Sequence, residues 1–446
     1  MDTIFAPLTI KGKCSVFVIR ISGTKTKLCL EKLGVFRELT PRKATVCTLK
    51  DTDGSNLDEA MLIYFQAPNS FTGEDVCELN LHCSTYIINR VYAILNSIDG
   101  VRLAEHGEYS RRAFYNNRLD LTQAEAIVDL VNSETELQHK QAIEQLKGKN
   151  SKFFINLREK VVGLLSNIEA YIDFPEDDID EGDIKNLYNK TNEIINEINF
   201  DLNDNKVGQL IKDGLHISII GEPNAGKSSL LNYFAKRDIA IVSNIAGTTR
   251  DIIEVSLDIK GLPVIMSDTA GIRETTNEIE EEGIKRAINN AKNADLKMLI
   301  VDINDININN SLLDLIDNKT IIVLNKIDLL HNNENYKTIK SKFKNVYDIV
   351  EISIQNGKNV DKLIDILENF ISKNITPYTN TNITQERYRK ELIKCIDYLS
   401  AIDFSQPIEI IAENIRLAGF CIGKITGQIN TEEILDNIFS KFCIGK

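Results

Sequence analysis

The sequence predicts a multidomain chain of mixed α+β and α/β class. An amino-terminal α+β domain is followed by a helical domain, into which is inserted an α/β domain with a parallel-rich sheet and helices on both faces. Three observations carry this. Short runs of β type dominate from Thr3 to Gln66, helical spacing flanks a central block on both sides, and within that block three apolar runs each end in a polar loop. The expected domains are 1–118, 119–212 together with 378–446, and 213–377. At 446 residues the chain exceeds what one hydrophobic core organises, so about three domains are expected. Insertion of one domain into another is tolerated because domain termini lie close together.

The elements follow in order. Ser15–Ile21 and Ala60–Gln66 read as strands separated by Gly and Pro, Cys77–His82 alternates apolar with polar residues, and Thr85–Ile98 has helical spacing. Thr122 with Glu125 reads as a capping box opening a helix in which Ala124, Ile127, Val128, Leu130 and Val131 are apolar. Helical pattern runs through Ile155–Ile172 to an acidic break at Pro175, resumes to Ile211, and returns at Gln385–Leu399.

The central block carries the chemistry. Residues Gly221, Glu222, Pro223, Asn224, Ala225, Gly226, Lys227 and Ser228 spell G-x-x-x-x-G-K-S between a buried-strand run, His216–Ile220, and a helix starting near Ser229. That context makes the motif a phosphate loop. Its backbone N–H groups and the helix N-terminus face phosphates, Lys227 reaches the β and γ phosphates, and the Ser228 hydroxyl ligates magnesium. After the run Leu262–Met266 come Asp268, Thr269, Ala270 and Gly271, placing a carboxylate near the metal and a glycine near the γ phosphate. After Ile321–Leu324 come Asn325, Lys326 and, one residue on, Asp328. An N-K-x-D at a strand end offers a buried carboxylate to the two N–H donors that guanine has and adenine lacks, so GTP is expected in preference to ATP. Between the first two motifs lie Ser243, Asn244, Ile245, Ala246, Gly247, Thr248 and Thr249; Thr249 is the candidate to complete the magnesium shell while the γ phosphate is present. Together the three motifs make the insert a Ras-like P-loop GTPase domain, although Ile272 stands where Ras-type sites use a water-orienting Gln.

Composition narrows the class. No apolar stretch approaches the roughly 20 residues of a membrane span, so a soluble, cytoplasmic protein without a membrane partner is expected. The eight cysteines form no C-x-x-C pair, which argues against a zinc site or a disulfide framework. The net charge of −13 falls on the later two thirds, since residues 1–120 are balanced; such a surface gives no electrostatic argument for nucleic acid.

Outside the central block, several segments together resemble one family, the tRNA modification GTPases called MnmE or TrmE. They are Asp2–Ile4, Arg20–Gly23, Phe71–Leu79 (FTGEDVCEL), Gly107–Phe114 (GEYSRRAF), Arg118–Glu125 (RLDLTQAE), Asp173–Pro175 and the ending Phe442–Lys446 (FCIGK). The resemblance spans the whole chain. It implies a homodimer that joins a flavoprotein, MnmG (GidA), in a heterotetramer and installs a carboxymethylaminomethyl or aminomethyl group on carbon 5 of the wobble uridine of certain tRNAs. It implies an amino-terminal domain that dimerises and binds 5-formyltetrahydrofolate or a related tetrahydrofolate derivative, with Arg20, Glu78, Arg118 and Lys446 at the folate positions. Glu78 can accept hydrogen bonds from a pterin edge, and either arginine can pair with a glutamate tail.

The resemblance further implies that two G domains meet across their nucleotide faces. Potassium then sits near the β and γ phosphates, with Asn224, Ser243, Ile245 and Thr248 as its ligands, and stands in for an arginine finger. Glu280 matches the residue that orients the attacking water and, with Lys227 and Thr249, completes the expected catalytic set. Arg250, Asp251 and Arg273 fall at the G-domain interface. The chain departs from the family at Cys83 and Ser84, where two glycines are common after the histidine, at Arg118, often a Lys, and at Ser353–Gln355 in the base-stacking loop. Two other readings compete: an Era-like ribosome-assembly or RNA-binding GTPase switch, which would need a basic module that is not visible, and a folate enzyme with a decayed GTPase, against which Lys227, Ser228, Thr249 and Asp268 argue. Residues 420–424 repeat the terminal FCIGK, but only the terminal copy matches the family ending.

Overall fold

The computed structural model describes residues 2–9, 12, 14–173, 181–203, 206–237, 239–241, 254–268, 288–305, 308–329, 343, 345–374, 382–403, 405–429 and 432–445. The chain forms two compact units, one of residues 1–131, 144–195 and 390–446, the other of residues 132–143 and 196–389.

In the first unit, strands β1 (Thr3–Pro7), β2 (Val16–Ser22), β3 (Thr45–Lys50), β4 (Asn56–Phe65), β5 (Val76–His82) and β6 (Val101–Leu103) form a six-stranded sheet ordered β3-β4-β5-β2-β1-β6. All neighbours are antiparallel except β1 and β6. Alternation decides which face each residue takes. Phe17, Ile19 and Ile21 on β2, with Cys77, Leu79 and Leu81 on β5, join a core with Cys29 and Leu30 of the helix Thr26–Lys32 and with Ile88, Val91 and Leu95 of the helix Thr85–Asn96. The residues between them, Arg20 and Glu78, are direct cross-strand partners and share the opposite face.

The helical part of this unit rests on one long pairing, between the helices Lys149–Asp173 and Ile408–Thr426. Phe154, Leu157, Val161, Leu164 and Ile168 repeat at three- and four-residue spacing and are buried, as are Ile411, Ile415, Ala418, Ile422 and Ile425 on the other helix. Each fully buried leucine or isoleucine contributes roughly 1.5–3 kcal/mol, which outweighs the weak propensity of the two glycines, Gly419 and Gly423, in the second helix.

The expected capping box is displaced. The helix Leu121–Val131 is capped by Asp120, whose Oδ1 accepts from Gln123 N at 3.0 Å while Gln123 Oε1 accepts from Asp120 N at 3.1 Å. Thr122 donates to Asp120 Oδ1 at 2.7 Å, so it supports the cap instead of forming it. A carboxylate one residue upstream of the first apolar position outcompeted the threonine.

In the second unit, β7 (Leu215–Gly221), β8 (Glu254–Ile259), β9 (Leu262–Asp268), β10 (Leu296–Asp302), β11 (Thr320–Asn325) and β12 (Asp348–Glu351) form a sheet ordered β12-β11-β10-β7-β9-β8. It is parallel apart from the β8–β9 hairpin. Its strands are apolar on both faces: Met298, Ile300, Ile321 and Val323 enter one core, and Leu299, Val301, Ile322 and Leu324 the other. Burial on both sides explains why these strands appear in the sequence as continuous apolar runs. The strand order reverses at β7, and the expected ligand crevice of such a sheet lies beyond the carboxyl ends of its strands there.

Candidate functional site: a nucleotide cradle and a charged sheet face

Each motif of the second unit sits at a strand end. The loop after β7 leads into the helix Lys227–Ala235, and the residue before that helix, Gly226, has φ 112°. A Cβ there would lie 2.3 Å from the Asn325 amide nitrogen, so only glycine fits. Asn224 holds φ 62°, an unusual conformation for a residue with a side chain and one stored mainly at functional loops. Lys227 donates from Nζ to the carbonyls of Gly221 at 2.8 Å and Glu222 at 3.0 Å, which holds its ammonium over the mouth of the loop. Ser229 lies in the first turn of the helix.

Asp268, the last residue of β9, is 3% exposed. Its Oδ2 accepts from the Ser228 hydroxyl at 3.0 Å, and its Oδ1, equally buried, has no hydrogen-bond partner among the described residues. A buried carboxylate oxygen left over beside a hydroxyl is costly unless a cation or water satisfies it. Hydroxyl and carboxylate oxygens are also the donor types magnesium prefers, so the two residues fit that ion.

Asn325 ends β11 and is buried. Its Nδ2 donates to Ala225 O at 2.8 Å, and its Oδ1 accepts from Ile354 N at 3.3 Å. One side chain thus ties the phosphate loop to the segment Ser353–Gln355. Lys326 follows with φ 65° and pairs with Asp302 Oδ2 at 2.7 Å. Burial would raise the Asp302 carboxyl, but the Lys326 ammonium and the hydrogen bonds from Asn304 together outweigh it and hold that carboxyl below its ordinary value. Asp328 corrects an expectation: it lies in a short 3-10 turn and is exposed, not buried. A planar base laid against the turn would itself have to bury the carboxylate, since β11 ends three residues earlier.

Sequence reasoning missed the contact between Glu222, whose Oε1 accepts from Asn309 N at 2.8 Å, and the loop after β10. A variable position of the phosphate motif carries no signal for such a contact. Ser243, Asn244, Ile245, Ala246, Gly247, Thr248, Thr249, Thr269, Ala270, Gly271 and Glu280 lie outside the described residues, as do Arg250, Asp251, Arg273 and Lys446.

The first unit holds a second site. Arg20 donates to Glu78 Oε1 from Nη2 at 2.7 Å and from Nε at 3.1 Å, with side chains 17% and 21% exposed. The guanidinium carbon lies 5.2 Å from the Phe71 ring centre and 5.5 Å from that of Tyr109. Tyr109 is fully buried and donates to Arg20 O at 2.7 Å. Arg118 is exposed, its stem lying against Gly73 two residues from Phe71. The structure therefore brings Arg20, Glu78 and the Phe71–Gly73 loop together, with Arg118 at the edge.

Behind this face sits a network that the sequence did not reveal. Arg112, 4% exposed, pairs with Asp2 Oδ1 at 2.9 Å, Glu74 Oε1 at 3.1 Å and Glu108 Oε1 at 2.9 Å. Ser22 donates to Glu74 Oε2 at 2.7 Å. The quoted GEYSRRAF segment contains Arg112, but only the fold tells it from its exposed-side neighbour Arg111.

The carboxyl tail docks on the same domain. Phe439 and Phe442 pack in one cluster with Phe114, His106 Nδ1 lies 2.9 Å from Phe442 O, and Ile444 bridges His106. A Cβ on Gly445 would stand 2.1 Å from Pro7 O, so a residue without a side chain is required there. Pro7 is next to Ala6, the β1 partner of Arg20. The earlier FCIGK copy is instead inside the helix Ile408–Thr426, with Cys421, Ile422 and Gly423 buried.

Both halves of the chain match known families. A model described as "GTP-binding protein TrmE N-terminus" matches residues 3–118, and one described as "MnmE helical domain" matches residues 121–443. Among curated relatives, the tRNA modification GTPase MnmE of Rickettsia typhi is 45% identical over 451 residues, that of Rickettsia rickettsii (strain Sheila Smith) 46% over 455, and that of Rickettsia canadensis 47% over 458. Each alignment covers all of both chains. With a phosphate loop, a strand-end carboxylate and a guanine-type N-K-x-D in one cradle, and full-length identity of this degree, the chain belongs to the MnmE (TrmE) family of tRNA modification GTPases.

Proposed function

We propose that this chain hydrolyses GTP in the modification of tRNA wobble uridines. With a flavoprotein partner, MnmG (GidA), it adds a carboxymethylaminomethyl or aminomethyl group to carbon 5. The observation that carries the GTPase reading is the Ser228–Asp268 hydrogen bond with the second Asp268 oxygen left over, set at the mouth of a phosphate loop whose position Asn325 fixes.

The chain's own residues supply binding and orientation. Lys227 exchanges loop carbonyls for phosphate oxygens, and the amides of residues 224–229 cradle the phosphates. Ser228 and Asp268, with Thr249, hold magnesium, which neutralises charge on the transferring phosphoryl group when bound. Asp328 accepts from the guanine edge, and Thr269, Ala270 and Gly271 line the γ-phosphate side. Asn224, with Ser243, Ile245 and Thr248, is proposed to hold potassium, and Glu280 to orient water.

In the other unit, Arg20, Glu78, Arg118 and Lys446 are proposed to hold 5-formyltetrahydrofolate or a relative. The fit rests on a paired carboxylate and guanidinium beside the half-buried Phe71 ring, a surface suited to a planar heterocycle with hydrogen-bonding edges. The described tail ends at Gly445, packed against Pro7 of this domain. Cytoplasmic location, a homodimer, and domains at 1–118, 119–212 with 378–446, and 213–377 complete the proposal.

The deciding experiment has two arms. Turnover of GTP and ATP is compared in potassium and in sodium buffers, and wobble uridines are analysed by mass spectrometry in cells lacking the protein. Potassium-stimulated, guanine-selective turnover with loss of the modification supports the reading. Unchanged wobble uridines would favour an Era-like switch instead.

A further inference from the structure

We propose that Cys14 and Cys83 form a redox modification site, a thiol pair that hydrogen peroxide converts to an intramolecular disulfide. Their sulfurs stand 2.6 Å apart although the residues are 69 positions apart in sequence. The backbone holds them there. Val16 on β2 pairs with His82 on β5, so Cys14 and Cys83 both lie just beyond the end of that ladder, where the chain has left the regular strand pairing. The Cys83 thiol also donates to Gly12 O at 3.2 Å, which anchors it to the turn that carries Cys14.

Access separates this pair from the other thiols. Cys14 is exposed and Cys83 half-buried, whereas Cys29, Cys47, Cys77, Cys395 and Cys421 are buried. Cys443 is exposed but belongs to the tail. The pair lies just beyond the end of the ladder, with Cys14 six residues from Arg20 and Cys83 five from Glu78.

The chemistry balances. The Cys14 thiolate attacks one peroxide oxygen, the O–O bond breaks, and a sulfenic acid and, after protonation, water result. Cys83 then attacks the sulfenyl sulfur, the S–S bond forms, the S–O bond breaks and a second water leaves. Two thiols have given two electrons and two protons to one peroxide; a dithiol such as dithiothreitol reverses the step by exchange.

The test uses the full chain. After treatment with hydrogen peroxide and alkylation of the remaining thiols, a non-reducing digest is expected to contain one peptide joining Cys14 to Cys83, lighter than its two halves by two hydrogens. The titratable thiols should fall by two per chain and return with dithiothreitol. In Cys83→Ser the linked peptide should vanish, Cys14 should become trappable by dimedone as a sulfenic acid, and GTP turnover should be unchanged. Alkylation of both residues after peroxide, or a disulfide joining two chains through Cys14, would overturn the proposal. So would a wild-type pair that stays reduced in oxidised glutathione.

Discussion

The amide nitrogen of Asn325 donates to the carbonyl of Ala225 at 2.8 Å, so the residue that opens the base-recognition motif also fixes the shape of the phosphate loop. Its oxygen accepts from Ile354 at the same time. Two segments, one 100 residues before Asn325 and one 29 residues after it, therefore share this side chain, which ties the G-x-x-x-x-G-K-S loop to the N-K-x-D turn.

Asn325→Ala should weaken GTP and GDP binding together. Two buried backbone groups lose partners, each worth about 1–3 kcal/mol, so affinity should fall by at least roughly tenfold. Isothermal titration with both nucleotides checks this; an unchanged GDP affinity would show that the loop holds its shape without Asn325.

Asp268→Asn should separate nucleotide binding from its magnesium dependence. The amide removes the negative charge and the leftover oxygen that suit the ion, while the Lys227 and backbone contacts persist. Turnover should drop by about 100-fold or more, the scale on which lost transition-state charge stabilisation acts. Retention of a normal magnesium titration curve would place the ion elsewhere.

Asp328→Asn should change which base is accepted. A carboxylate accepts from the two donors of guanine; an amide presents a donor that matches the second carbonyl of xanthine. Competition between GTP and XTP should reverse in favour of XTP by an order of magnitude or more, about 1.4 kcal/mol per tenfold. Continued GTP preference would remove Asp328 from base recognition.

Arg20→Ala should abolish binding of 5-formyltetrahydrofolate, measured calorimetrically, and leave GTP turnover unchanged. The cost in stability should be about 1–3 kcal/mol, because the pair with Glu78 is largely buried and its loss leaves that carboxylate unpaired. Folate binding at wild-type strength would defeat the assignment of this sheet face.

Arg112→Ala should destabilise the amino-terminal unit by about 3–5 kcal/mol, since it strands carboxylates that the guanidinium now satisfies. The same network predicts a pH dependence. Burial would raise the Glu108 carboxyl, but Arg102 and Arg112 lower it more, leaving it below its ordinary 4.5. A group depressed in the folded state stabilises at pH above its unfolded value, and that stabilisation is lost as pH falls through the folded value. Hydrogen exchange at β1 and β6 should therefore quicken below about pH 4.5 in the wild type, and Glu108→Gln should flatten that dependence.

Much of the nucleotide site was legible because its chemistry is local. A phosphate loop needs its glycines and lysine at fixed spacing, and strands buried on both faces must be apolar throughout, so Lys227, Ser228, Asp268 and Asn325 could be placed at strand ends from the chain alone. Arg20 and Glu78 were legible only through likeness to a family, and the exposure of Asp328 and the Asp120 cap ran against local expectation. What tertiary structure alone decided is which distant residues meet. Asn325 on Ala225, Arg112 among three carboxylates, Gly445 against Pro7 and Cys14 beside Cys83 are all set by strand register and helix docking. Periodicity reports which face a residue takes, but not which other segment will be packed against that face.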